Sequence, residues 1–81
     1  MNKQQAKELT AEIREKIRIR IRMIKTENSW TIKDIAMITG DKEITMKCKL
    51  RGHNLFTLND LILISMKSGK SFDYICGRSD S

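Results

Sequence analysis

Few residues in this chain are equipped for covalent or redox chemistry, and their spacing does not bring them together. His53 is the only histidine, and Cys48 and Cys76 lie 28 positions apart. Zinc and related ions need three or four such ligands at short, repeating intervals, and no such set occurs. A nucleophile, its base and an orienting acid cannot be assembled around one histidine flanked by a glycine. The four glycines are scattered singly, so no phosphate-cradling loop exists. The sequence therefore predicts neither an enzyme nor a metal or organic cofactor, and no small-molecule substrate. What remains is charge. Sixteen Lys and Arg against ten Asp and Glu leave +6, with a pI near 9.6. Through Lys25 there are eight cations and three anions, and the rest of the chain is close to balanced. A polyanion is the expected partner, nucleic acid before membrane. No apolar run approaches the roughly 20 residues of a membrane span. The start of the sequence lacks the apolar centre of a secretory signal, so the cytoplasm is the expected compartment and both cysteines are expected as free thiols.

The elements that must position these charges read as helices. At 81 residues the chain has room for one domain with a small core. Leu9, Ile13, Ile17, Ile21 and Ile24 recur at spacings of four and three, a helical stripe. Ile17 to Arg22 also alternates strictly, the pattern of a half-buried strand. Helix prevails because the longer window supports it and Glu12 stands four residues before Lys16, a favourable pair. Ile19 and Met23 then fall on a second face. This helix should end near Glu27, with Asn28 and Ser29 turning the chain. Thr31 with Asp34 caps a second helix carrying Ile32, Ile35, Ala36 and Ile38, stopped by Gly40. A third runs from Asp41 or Lys42 to Leu50 or Arg51 and is closed by Gly52. Thr57 with Asp60 caps a fourth, ended by Gly69, and Ser71 opens a brief fifth holding Phe72, Tyr74, Ile75 and Cys76. The expected organisation is an all-α domain over 1–81: a helical N-terminal extension at 1–16, a core at 17–76, and a frayed tail at 77–81.

The stretch from Thr31 to Gly52, TIKDIAMITGDKEITMKCKLRG, is the most informative. Two steeply crossing helices need a small residue where their backbones approach, and Ala36 supplies it. The tight connection needs a residue at ease with positive φ, which is Gly40. Met46 then plugs the second helix onto the first. These offsets suit a helix-turn-helix. Lys49-Leu50-Arg51-Gly52, Phe56-Thr57-Leu58 and Gly69-Lys70-Ser71-Phe72-Asp73 flank it, and Trp30-Thr31 stands where Leu-Thr is usual. With these flanks the chain resembles the Cro-like (Xre-type) family of phage and bacterial repressors over about residues 17 to 76. It departs from that pattern at Thr39 (usually leucine), Asp41 (usually valine or isoleucine), Ile32 (usually glutamine) and Lys42 (usually the serine that caps helix 3). The departures at 39 and 41 should weaken the apolar plug of the turn, and those at 32 and 42 should remove a phosphate contact.

The resemblance implies a five-helix, lambda-repressor-like domain with an extended first helix. It implies a transcriptional regulator of phage or mobile-element type that occupies a double-stranded DNA operator as two copies. The outward face of helix 3, which enters the major groove in this fold, becomes Lys42, Glu43, Ile44, Lys47, Cys48 and Arg51 here. Lys42 and Lys47 are assigned to guanine, Glu43 to cytosine, Ile44 to a thymine methyl, and Cys48 to the same base-facing set. Arg51, Asn54 and Lys33 are assigned to phosphates. Four cations and one anion between Lys42 and Arg51 make a local positive patch. Trp30 and Phe56 are expected in the core, and His53 as surface or a phosphate neighbour. A second expectation is a protein-interaction module, an antirepressor or cofactor, binding a partner repressor through helix 1. Leu9, Ile13, Ile19 and Met23 would contact that partner, or a second copy, with Arg18 and Arg22 as rim. RNA binding by the arginine-rich helix 1 is a third.

Overall fold

A computed structural model describes residues 1–80. Its elements are α1 (Lys3–Glu27), α2 (Ile32–Thr39), α3 (Glu43–Arg51), α4 (Leu58–Ser68) and α5 (Phe72–Ile75), and no strand occurs among the described residues. The fold is all-α. The alternation at 17–22 loses to the longer period: Ile21 and Ile24 are fully buried and Ile17 packs beside them, while Ile19 points outward.

Helix starts follow local side-chain chemistry. Thr31 accepts the Asp34 N–H at 3.0 Å while Asp34 accepts the Thr31 N–H at 2.8 Å, and Thr57 and Asp60 repeat this reciprocal pattern. The same device opens α1, where Asn2 and Gln5 exchange bonds of 2.8 and 3.1 Å. Gly40 ends α2 in the left-handed region at φ +76, and the Asp41 N–H then reaches back to the Ala36 carbonyl at 2.9 Å.

α2 packs against both α3 and α4, and α1 lies across α3 and α5. Ile21, Ile24, Ile35, Ala36, Met46, Leu50, Leu61, Ile64, Tyr74 and Ile75 form one buried cluster, and Trp30 and Phe56 pack half-buried against it. α1 is about 37 Å long at 1.5 Å per residue, which matches the 39 Å long axis of the molecule. Every residue from 1 to 16 is exposed, so its first half projects past the core.

Residues 78 and 79 of the expected tail make contacts with the body. Arg78 N–H donates to the Asp73 carbonyl at 2.8 Å, and Arg20 on α1 donates to the Ser79 carbonyl at 3.2 Å. Gly77 sits at φ +74 with the Lys16 stem against it; a Cβ there would lie 2.8 Å from Lys16 Cδ. The part of the expected tail at Ser81 lies outside the described residues.

Candidate nucleic-acid interface

The α2–turn–α3 unit presents a defined outer face. Lys42, Glu43, Lys47 and Arg51 are exposed, as is Ile44 at 64%. Lys33 is exposed on α2. Cys48 departs from the expected set: it is half-buried, and its position leaves only part of the thiol side chain on the outer surface.

Lys47 and Arg51, one turn apart, line a cleft between α1 and α3 together with Arg22 and Lys25. Four cations from two helices thus converge where the sequence singled out two. No spacing rule joins Lys25 to Lys47; only the crossing of α1 over α3 does. Asn54 does not join this cluster. It lines a separate groove with Ala11, Arg14, Glu15 and Arg18 on α1.

The expected patch of four cations along α3 is reduced to three, because Lys49 turns inward. Its ammonium donates to Asp41 Oδ2 at 2.8 Å and to Asp60 Oδ2 at 2.6 Å, with its side chain only 8% exposed. Thr39 donates to the same Asp41 oxygen at 2.9 Å, and Asp60 also accepts the Thr57 N–H at 2.9 Å. Thr39 and Asp41 are thus both engaged in polar contacts at the turn. They replace an apolar plug with a hydrogen-bonded brace joining α2, the turn, α3 and the start of α4. Burial works against the charged Lys49 amine, yet hydrogen bonds to Asp41 and Asp60, together with their charges, raise it above its ordinary value.

The arginines of α1 are largely engaged within the chain. Arg18 pairs with Glu15 through two hydrogen bonds, which hold the Glu15 carboxyl below and Arg18 above their usual ranges. Arg18 and Arg22 both reach the Leu50 carbonyl, at 3.3 and 3.4 Å, and so supply cations to the negative end of α3. Arg20 stacks on the Tyr74 ring at 4.5 Å. The arginine-rich helix is thus an internal clamp as much as a surface. The favourable Glu12–Lys16 pair is not formed; no ion pair involves either residue among the described ones.

Leu9, Ile13, Ile19 and Met23 remain between 43% and 45% exposed. Ile19 and Met23 lie together on the outer side of α1 with Arg18, Arg22 and Thr26. No helix among the described residues is long and apolar enough to cross a membrane. No family model, curated protein or solved structure matches the chain.

Proposed function

We propose that this chain is a sequence-specific DNA-binding regulator of phage or mobile-element type, acting by occupying an operator. The observation that carries the proposal is the pairing of an exposed α3 face (Lys42, Glu43, Ile44, Lys47) with the four-cation cleft of Arg22, Lys25, Lys47 and Arg51. A groove-facing helix reads base edges, and cations beside it grip phosphates and set register. One domain of this size covers few base pairs, so two copies on a two-fold operator are required for useful specificity.

The test is selection of bound duplexes from a random pool, followed by binding measurements across a salt series. Lys47→Ala should cost on the order of 1–3 kcal/mol and relax base preference. Arg51→Ala should weaken all duplexes alike and reduce the salt slope by about one. If the pool yields no enriched sequence and neither substitution changes duplex affinity, the proposal fails.

A second reading, a protein-interaction module acting on a partner regulator, is favoured by the uncovered first half of α1. Salt separates the two readings: DNA affinity falls steeply with salt, whereas a contact anchored by Leu9, Ile13, Ile19 and Met23 does not.

A further inference from the structure

The first half of α1 is helical from Lys3, capped at Asn2, and touches no core. A helical segment of three to four turns without packing is marginal in water, because short helices owe their stability to a covered face. Leu9, Lys16 and Met23 recur every seven residues, and Gln5, Glu12 and Ile19 recur in a second row between them. These rows are the a and d positions of a heptad. All six residues are exposed. The stripe begins at polar Gln5, is apolar at Leu9, Ile19 and Met23, and carries opposite charges at its centre, on Glu12 and Lys16, neither of which has an ion-pair partner among the described residues.

We infer that a second copy of this chain covers this stripe, α1 lying antiparallel on α1 about a two-fold axis, with Leu9 against Ile19 of the second copy and Glu12 against Lys16 of the second copy. The two-fold makes each contact twice, as an isologous interface must. The complementarity is specific to this register. It sets Met23 against Gln5 of the second copy and brings Ile13 toward its own counterpart across the axis. Slipping one heptad in one direction sets Leu9 on Thr26 and Lys16 on Ile19; in the other it sets Leu9 on Glu12. A parallel pair would stack Glu12 on Glu12 and Lys16 on Lys16, a like-charge arrangement at the centre of the seam. Of these arrangements, only this antiparallel register sets Leu9 on Ile19 and Glu12 on Lys16. It also lays the projecting half of each α1 along the outer side of the other's body, so that one contact covers both unpartnered surfaces. The inference is independent of the DNA-binding proposal and stands or falls without any duplex present.

The test is sedimentation equilibrium of the full chain, with circular dichroism as a check on helix content. The intact chain should be dimeric at about 100 μM. Glu12→Lys places lysine on lysine in both central layers, and Lys16→Glu places glutamate on glutamate. Each should weaken self-association by at least about tenfold. In a mixed pair, each central layer sets a lysine of one variant against a glutamate of the other. Mixing the two variants in equal amounts should therefore restore association to within about threefold of the intact chain. If a charge reversal costs helix, Leu9→Asp decides instead, since Leu9 lies outside the buried cluster and its replacement should also cost about tenfold. An intact chain that stays monomeric overturns the inference. So does a dimer indifferent to these substitutions, or one whose reversed variants are not restored by mixing.

Discussion

Lys49 is held between Asp41 and Asp60 with little access to water, so each of the three charges depends on the other two. Replacing this buried cation leaves a buried Asp60 and a part-buried Asp41 without their countercharge, which is costlier than never having built the pair. Lys49→Met should therefore lower stability by on the order of 3–5 kcal/mol in urea unfolding. Its pH dependence has a definite sign. The folded-state value lies above the ordinary lysine value of 10.5, so the stabilisation is complete below that pH and is lost as pH rises through the raised value. The alkaline fall in the urea midpoint should accordingly be shallower in Lys49→Met than in the intact chain. The inward turn of Lys49 was legible in principle. It stands three residues after Met46 and next to Leu50, on the helical face that the period assigns to the core. Its charge argued for the outer face instead. Only the placement of Asp41 and Asp60, from two other segments, reverses that argument.

Caps differ among the helices, and α3 is the one without a side-chain cap. Lys42 occupies its N-cap, where a cation faces the positive end of the helix dipole. Lys42→Ser should stabilise the fold by about 0.5–1 kcal/mol. On the proposed function the same change should weaken duplex binding, and urea unfolding alongside duplex titration would reveal such a split. α2 shows the opposite case. Its Asp34 carboxyl is held below the ordinary range by hydrogen bonds with Thr31, backbone N–H first. That contribution is present above the unfolded-state pKa and lost as pH falls through the lowered value. Thr31→Ala should cost about 1 kcal/mol at neutral pH, whereas Asp34→Asn, which removes the titrating carboxyl, should flatten the acid limb of stability against pH. The caps at Thr31 and Thr57 were readable because threonine precedes an acid at the fourth place of the box. Asn2 with Gln5 uses the same geometry but is uncharged and sits ahead of a stretch with no core to signal a boundary. The alternating residues at 17–22 pose a conflict for a related reason: a local pattern of two cannot show that Ile17, Ile21 and Ile24 meet one surface.

At the scale of the whole molecule, α1 serves two purposes along one axis. Its second half closes the core, and its first half contributes no buried side chain. Deleting residues 1–12 should therefore leave a body that unfolds cooperatively near the intact midpoint while self-association disappears in sedimentation. The cleft of Arg22, Lys25, Lys47 and Arg51 belongs to this scale as well, since it exists only where α1 crosses α3. The α3 half of it was legible from the motif spacing, and the α1 half was not. The brace around Lys49 also reaches beyond its own residues, because it joins α2, the turn, α3 and α4 at one nitrogen. Among the ten lysines it is the single buried one, so an acylating reagent meets nine accessible lysine side chains and one that is sheltered and protonated. Acylation at position 49 requires those segments to part. Its rate, followed by mass spectrometry against denaturant, should track the global unfolding transition rather than local fraying, making one native side chain a chemical clock for opening of the entire fold.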